Sequence, residues 1–301
     1  MHLSFDPVLA FGWCVFAGFI MSMGGGGGGI LAGVGHISVL GIADANMIKV
    51  VNQMLEFSSR IVSVPLYHRQ QRLVWSLALS FGVGAPFGAM LGSWFSKNFL
   101  SDMSAYQPAF GVLIALVAMR TLYEGWAKKA SNHAGLKKAR ETSERVGKIA
   151  RAAPGGRLGD DAPRSTLLAW NRISVRFGGE HFEFNPLTAA LGGFAISFVN
   201  SAFGVGGGFL VTPFMASILM FPMFLVVGTS LVALMIPLTM SVVTYMSLNV
   251  AVDWHLVAVE VPGILLGSFL GPVMNRHMNE KALKTFVALV LLGIGLYYAT
   301  R

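Results

Sequence analysis

Two glycine-rich stretches decide the fold of this chain. They read Met23-Gly24-Gly25-Gly26-Gly27-Gly28-Gly29-Ile30-Leu31 and Phe203-Gly204-Val205-Gly206-Gly207-Gly208-Phe209-Leu210. Each interrupts an otherwise apolar run, and a shift of 179 positions aligns Pro7 to Gly92 without a gap on Pro186 to Gly271. The chain therefore contains a duplicated unit with glycine breaks at matching places. This pattern is typical of transporters that bind their cargo where the broken helices meet.

The composition indicates an integral membrane protein. The 301 residues are 54% hydrophobic and only 12% charged, with a mean hydropathy of +0.64, whereas soluble domains carry about 25% charged residues. Apolar runs of about 17 to 25 residues can cross a hydrocarbon layer about 30 Å thick. The predicted segments are 8–23, 30–42, 46–67, 72–96 and 105–126 in the first half, and 187–202, 209–220, 224–248, 254–275 and 283–300 in the second.

Positive charge is concentrated between the two apolar halves. Of the 22 Lys and Arg residues, 12 lie within 127–184, and basic loops stay on the cytoplasmic side of a membrane. We therefore predict a membrane repeat over 1–126, a basic cytoplasmic linker over 127–184 and a second membrane repeat over 185–301. Because topology explains the net charge of +8, no nucleic-acid partner is predicted. The single cysteine, Cys14, excludes an internal disulfide and a cysteine zinc site, and no metal or cofactor is expected.

Two topologies fit the glycine breaks. If each broken segment crosses the membrane once, a cytoplasmic linker places four basic residues outside: Lys97, Arg276, Lys281 and Lys284. If each segment turns back as a hairpin, the repeats are inverted and only Lys97 and Arg301 lie outside. The positive-inside rule favours the hairpins. We therefore predict an all-α integral membrane protein with two homologous, inverted repeats, each with a Gly-rich broken helix or hairpin plus three transmembrane helices.

The glycine breaks are candidates for anion binding. A broken backbone in a membrane needs partners for its N–H and C=O groups, and exposed N–H groups beside the start of a half-helix suit a small anion. The candidate substrate-binding glycines are Gly26, Gly27, Gly28, Gly29, Gly206, Gly207 and Gly208. The alternative is that glycine only allows close helix packing. We prefer that interpretation for Gly84, Gly88, Gly92, Gly263, Gly267 and Gly271.

The helix predicted from Asn46 to Tyr67 carries a polar stripe. Its members recur at steps of 3, 1, 3 and 4 and so share one face: Lys49, Asn52, Gln53, Glu56 and Arg60. An ionisable side chain at the membrane centre costs on the order of 2.5 to 3.5 kcal/mol and therefore faces a cavity or a partner. The matching positions of the second repeat are uncharged. An asymmetric polar pathway is therefore expected, with all five residues as candidates for the site.

Arg60 is the strongest ligand candidate in this stripe, because its planar charged fork matches sulfonate or carboxylate oxygens. Glu56 is the candidate for proton coupling. A structural alternative stays open, since Glu56 and Arg60 are spaced to pair with each other and Lys49 could snorkel. His36 is either a substrate or proton group or a hydrogen-bonded packing residue. Glu260 has no cation adjacent to it in sequence.

One motif resembles the signature of a known family. The string Gly204-Val205-Gly206-Gly207-Gly208-Phe209-Leu210-Val211-Thr212-Pro213, followed by Gly228-Thr229-Ser230-Leu231, is similar to the repeated signature of the TauE/SafE family of sulfite and organosulfonate exporters (4-toluene sulfonate uptake permease family). The likeness covers both membrane halves. It implies a multi-pass carrier of the bacterial inner membrane for small sulfur anions such as sulfite, sulfoacetate or another C2 sulfonate. It also makes Thr229 and Ser230 candidate substrate-binding residues.

The first repeat departs from that signature. It has Gly33-Val34 in place of Thr212-Pro213 and Lys49-Val50-Val51 in place of Gly228-Thr229-Ser230, which leaves the substrate open. We predict export of a small sulfur anion by alternating access, with protons as a second coupled species and the lipid bilayer as the surroundings. A channel-like or sensory membrane protein and a small-carboxylate carrier are the alternatives. No spacing of residues points to an enzyme, and the oligomeric state is open, with a homodimer among the alternatives.

Overall fold

A computed structural model describes residues 5–22, 28–127, 134–152, 158–274 and 280–300. The first repeat contains α1 (Pro7–Ser22), α2 (Gly28–Val34, continued by a π-helical turn, Gly35–Val39), α3 (Ala45–Arg69), α4 (Trp75–Phe99) and α5 (Met103–Ala127). The linker contains α6 (Ala134–Ala152), a 3-10 turn (Gly159–Asp161), β1 (Arg164–Leu168), β2 (Ile173–Phe177) and β3 (Glu180–Phe184). The second repeat contains α7 (Pro186–Phe203), α8 (Gly208–Pro213, continued by a π-helical turn, Phe214–Ile218), α9 (Met223–Ala233), α10 (Met235–Ser247), α11 (Trp254–Met274) and α12 (Glu280–Ala299).

Among the described residues, five helical spans are long and apolar enough to cross a membrane. They are Trp75–Phe99, Met103–Tyr123, Pro186–Phe203, Met223–Ser247 and Trp254–Gly271. The polar stripe keeps α3 out of this set although it has 25 residues. The all-α expectation is confirmed for the described residues of the two membrane repeats.

Each glycine break is followed by a short helix that packs back along the helix before it. In the first repeat, Gly28 lies against Met21, and Gly35 lies against the ring of Trp13. The Trp13 indole N–H also donates to the Leu31 carbonyl at 3.0 Å. Because later residues of α2 contact earlier residues of α1, the two helices run antiparallel and form the first hairpin; α7 and α8 are the equivalent second hairpin.

The second repeat shows the same arrangement, with Gly207 against Asn200 and Gly192 against the ring of Phe214. Gly204 and Gly207 both adopt left-handed backbone angles, with φ of 67° and 63°, which glycine allows without a steric cost. At 1.5 Å per residue, the segments Gly28–Val39 and Gly208–Ile218 each reach less than about 20 Å, short of the ~30 Å hydrocarbon layer. Each glycine break is therefore followed by a short helix that does not cross alone.

The two repeats interlock through small residues. Helix α4 packs on α7, and α11 packs on α1. Gly84, Gly88 and Gly92 lie against the carbonyls of Ala190, Phe194 and Phe198, while Gly263, Gly267 and Gly271 lie against those of Phe11, Val15 and Phe19. A Cβ atom at any of the six would come within 3.0 Å of another heavy atom. Their predicted packing role is confirmed, and the partners are related by the same 179-residue shift.

The segment predicted as one helix over 224–248 is divided. Helix α9 ends at Ala233 and α10 begins at Met235. Pro237 explains the division, because proline has no N–H to donate and its ring crowds the carbonyl four residues earlier. That carbonyl belongs to Ala233, so the helix is interrupted beside the cavity described below.

The basic linker is folded. Its three strands form an antiparallel meander in the order β1-β2-β3, and α6 packs its buried residues Ala139, Thr142 and Val146 towards it. Lys138 bonds Glu180 at 2.9 Å and lowers the pKa of that exposed carboxyl. Stacking of Phe177 on Phe224 joins the sheet to the start of α9. The all-α prediction therefore needs a correction here, because alternating apolar residues such as those of Ile173–Phe177 favour strands.

Candidate functional site

The polar stripe of α3 is buried where the two glycine breaks meet. Lys49 and Gln53 are 0% exposed, Asn52 is 1%, Arg60 is 3% and Glu56 is 4%. The predicted common face is confirmed, because all five residues lie against the segment 201–206 at the second break. Asn52 contacts both breaks directly, since its amide nitrogen donates to the Gly29 carbonyl at 2.9 Å and to the Gly204 carbonyl at 2.6 Å.

Glu56 and Arg60 form the charged centre of this region. Arg60 Nη1 makes an ion pair with the Glu56 carboxylate and donates to the Glu56 carbonyl at 2.7 Å. Arg60 Nη2 donates to the Gly206 carbonyl at 3.0 Å. The Glu56 carboxylate lies directly against Gly29 and Gly206, so that a Cβ atom on either glycine would collide with it. One carboxylate thus sits between glycines from both repeats.

A small cavity opens beside this pair. Six predicted site residues line it: Gly28, Gly29, Glu56, Arg60, Gly208 and Ser230. Four residues that were not predicted complete the lining: Met21, Thr212, Leu231 and Leu234. Helices α2 and α8 begin at Gly28 and Gly208, and the first N–H groups of a helix have no acceptor within it. The cavity therefore combines the Glu56–Arg60 ion pair, two helix starts and two hydroxyl side chains.

Thr212 is the clearest residue that sequence reasoning missed. It is 9% exposed, and its hydroxyl has no hydrogen-bond partner among the described residues. Arg60 Nε is also without one. A buried polar atom without a partner is costly, so both atoms are free to meet a polar ligand. The signal for Thr212 was present in the motif that contains Thr212-Pro213, but no role was assigned to it.

Asn52 and Gln53 hold the hairpins rather than line the cavity. Besides the two bonds of Asn52, the Gln53 amide nitrogen donates to the Ser201 carbonyl at 3.4 Å. Tyr245 donates to the same carbonyl at 2.8 Å. These side chains satisfy backbone carbonyls that the glycine breaks release, as a membrane interior demands. Their predicted contact with substrate stays a prediction.

Lys49 lies at another level of α3. It is eleven residues from Arg60, which is about 16 Å along a helix axis. Its amine donates to the Leu100 carbonyl at 2.5 Å and lies 4.5 Å from the centre of the Tyr106 ring. One small anion cannot touch Lys49 and Arg60 together, so the two cations mark separate positions.

The other predicted residues that the structure describes do not line the cavity. Gly206 borders Glu56, and Gly207 packs against Asn200 and Leu234. The Thr229 hydroxyl accepts the Val74 N–H at 3.0 Å, before the start of α4. His36 lies elsewhere, bonded to Glu260, and Gly26 and Gly27 fall outside the described residues. Within the described ranges, no group of three or more His, Cys, Asp or Glu side chains could hold a metal ion.

These features define a multi-pass helical membrane protein with a polar cavity between two glycine-broken segments. The model of the family described as sulfite exporter TauE/SafE matches residues 10–298. The chain therefore belongs to the TauE/SafE family of membrane transporters, as the glycine, Thr-Pro and Gly-Thr-Ser motifs predicted.

Two bacterial relatives agree with this assignment. The chain is 25% identical over 233 residues to "Probable membrane transporter protein YunE" of Bacillus subtilis (strain 168), covering 76% of this chain and 71% of the relative. It is 23% identical over 291 residues to a "Probable membrane transporter protein" of Xylella fastidiosa (strain 9a5c), covering 94% and 91%. No solved structure matches the chain significantly.

Proposed function

We propose that this transporter exports a small sulfur-containing anion, such as sulfite, sulfoacetate or another C2 sulfonate, across the bacterial inner membrane by alternating access. The observation that carries the proposal is the position of Arg60. Its buried guanidinium bonds a glycine of the second repeat and lines a cavity shared by both repeats. A guanidinium presents paired N–H donors to the oxygens of an anion.

The position of the Glu56 carboxylate indicates that an oxyanion can be held beside Arg60. Its carboxylate already lies between Gly29 and Gly206 and is paired with Arg60. A sulfite or sulfonate group would take the same donors, so it must displace the carboxylate from Arg60. This competition supplies a way to release the substrate, because the returning carboxylate restores the original pair. It also favours a second candidate, a small carboxylate, since the present occupant is one.

We further propose that the repeats are inverted. Their equivalent helices α5 and α12 contact each other, with Phe110 near Tyr298 and Gly295 near Ala115. Later residues of α5 thus meet earlier residues of α12, as antiparallel helices do. Opposite directions of equivalent helices are the property of inverted repeats. Two hairpins moving against a shared site would give alternating access.

The test is counterflow in proteoliposomes that contain the purified protein. We expect internal unlabelled sulfite or sulfoacetate to stimulate entry of the labelled anion, and malonate, the carboxylate analogue of sulfoacetate, to do so less. Arg60→Gln should weaken apparent affinity about 10-fold or more, because a hydrogen bond to a charged group contributes about 1.5–3 kcal/mol. Arg60→Lys is the matched variant that keeps the charge and loses the fork.

Three results would contradict the proposal. Uptake without exchange stimulation indicates a channel. Stronger exchange with malonate indicates the carboxylate carrier. Normal affinity in Arg60→Gln shows that the anion binds elsewhere.

A further inference from the structure

A second buried polar pair lies outside the anion cavity. His36 belongs to the π-helical turn after α2, and Glu260 belongs to α11 of the other repeat. His36 Nε2 lies 3.0 Å from each Glu260 carboxylate oxygen, and both residues are 1% exposed. Neither lines the cavity. His36 is therefore the partner that Glu260 lacks among its neighbours in the sequence.

The surroundings of the pair are mostly apolar. The cluster around α1, α3 and α11 includes Val51, Leu55, Leu256 and Ile264. On α1, the Cys14 thiol contacts the Glu260 carboxylate. It is the only titratable side chain among the described residues of that helix. The other titratable groups on the elements packed around the pair are Asp253 and His255 at the start of α11, Asp6 before α1, Asp44 before α3, and Lys49, Glu56, Arg60, His68 and Arg69 along α3, where the Tyr67 hydroxyl donates to the Ser22 carbonyl.

Three of those α3 groups have partners elsewhere. Glu56 and Arg60 pair with each other, and Lys49 bonds the Leu100 carbonyl. Asp253 accepts the N–H groups of His255 and Leu256, at the beginning of its helix. Seven residues separate Asp253 from Glu260, which is about 10 Å along a helix. His36 Nδ1, in contrast, has no partner among the described residues.

The internal repeat provides a comparison within the same molecule. The 179-residue shift places Met215 opposite His36 and Phe81 opposite Glu260. Met215 and Phe81 are both 0% exposed and belong to one hydrophobic cluster. The architecture therefore closes the equivalent interface with apolar side chains. Burying two ionisable groups instead carries a desolvation penalty, which indicates that the pair has a role other than closing the interface.

We propose that the His36–Glu260 pair is a proton-binding site coupled to anion transport, an inference that rests on the proposed function. The proton binds the free Nδ1 of His36, while Nε2–H donates to the Glu260 carboxylate. Imidazole is the side chain whose charge changes most readily near neutral pH. The protonated pair is an ion pair between the first hairpin and α11, and loss of the proton leaves a weaker hydrogen bond.

The link to the anion cavity is the short helix α2. Gly28 and Gly29 line the cavity at its start, and His36 follows its end. The separation of seven residues corresponds to about 11 Å of helix. A change in the strength of the bond between His36 and Glu260 is therefore transmitted to the cavity wall through one short helix. Glu56 lines the anion cavity itself, and its predicted role in proton coupling stays a prediction.

The experiment uses proteoliposomes of the full chain with a pH-sensitive dye inside. In the wild-type protein, an imposed sulfoacetate gradient should change internal pH, and the rate of uptake should depend on pH. His36→Met with Glu260→Phe reproduces the apolar pair of the other repeat. This double variant should keep counterflow exchange while losing the dye response and the pH dependence. His36→Gln, which keeps a polar side chain, should behave in the same way. His255→Gln, at an exposed histidine near the start of α11, is the matched control.

The possible failures are distinguishable. Absence of anion counterflow in the wild-type protein contradicts the proposed function. Counterflow without proton movement in the wild-type protein contradicts the proton site alone. An unchanged dye response in the double variant or in His36→Gln also overturns the proton site. So does loss of counterflow in His36→Gln that still elutes as a folded, monodisperse protein, because the pair would then serve the fold or the anion itself.

Discussion

Arg60 and Glu56 are the two residues whose spacing left a structural ion pair and a ligand role as alternatives. They pair with each other, as residues four apart on a helix can, and they also contact the second hairpin through Gly206. The cavity beside them and the free Nε of Arg60 favour a ligand role for the guanidinium.

A double-mutant comparison at these two positions separates the roles. Arg60→Gln should lose anion affinity by about 10-fold or more whether or not Glu56 is also changed, because the charge-assisted bond is gone. Glu56→Gln alone should raise apparent affinity several-fold, since the internal competitor is neutral. Binding is measured by thermal shift with sulfite or sulfoacetate and by the half-saturating concentration in counterflow.

The structural alternative predicts a different pattern. In that case each single variant loses folded protein, because it leaves one buried charge unpaired. The double variant then recovers both stability and transport. Full recovery of transport in Glu56→Gln with Arg60→Gln would show that Arg60 does not hold the anion.

At the scale of the elements, the hairpins are the parts that bring the two repeats to one site. Gly29 of α2 contacts the carbonyl of Val205 in the second break as well as Glu56. Asn52 bonds both breaks at once. Movement of either hairpin therefore changes the same cavity, as alternating access requires.

Adding one methyl group at the hairpin contact tests this arrangement. Gly29→Ala places a Cβ atom against the Glu56 carboxylate and the Val205 carbonyl. We expect counterflow to fall about 10-fold or more, because backbone atoms cannot move aside without shifting the hairpin. Gly12→Ala in α1 meets no atom within 4 Å and should leave counterflow unchanged. Transport rates are compared at equal amounts of reconstituted protein, and equal rates in both variants would exclude close contact of the breaks.

At the scale of the whole molecule, charge and packing favour one orientation. The folded basic linker lies beside the starts of α4 and α9, as the Ser76–Ser165 and Phe177–Phe224 contacts indicate. The positive-inside rule puts this end in the cytoplasm. The loop between α10 and α11, which contains Asn249, is then expected in the periplasm. Arg276, which the predicted hairpin topology leaves in the cytoplasm, falls outside the described residues.

Single cysteines in a Cys14→Ser background test the orientation. Asn249 has a φ of 54°, which disfavours most side chains, so the exposed Ala251, two residues further on, is the better position. Ala251→Cys should react with a membrane-impermeant thiol reagent in intact cells. Trp170→Cys, in the linker turn where the side chain is 95% exposed, should react only after permeabilisation. The reverse labelling pattern would require the opposite orientation.

The sequence by itself determined the class of protein, the duplication and the buried stripe. These follow from local rules: composition decides whether a chain can dissolve in lipid, glycine breaks a helix, and the 3.6-residue period aligns residues of one helix. The same period explains why Lys49 and Arg60 share a face and yet lie too far apart for one anion. The motif residues were also sufficient to predict the family.

Only the tertiary structure decided which distant residues meet. Arg60 contacts Gly206 across 146 positions, and His36 contacts Glu260 across 224. Such contacts depend on how the hairpins dock against the helices of the other repeat, which no spacing within one segment contains. For the same reason, Thr212 lines the cavity, whereas the Thr229 hydroxyl bonds the Val74 N–H before the start of α4. The sequence places each side chain on a face of its own helix, whereas packing between the repeats decides what that face touches.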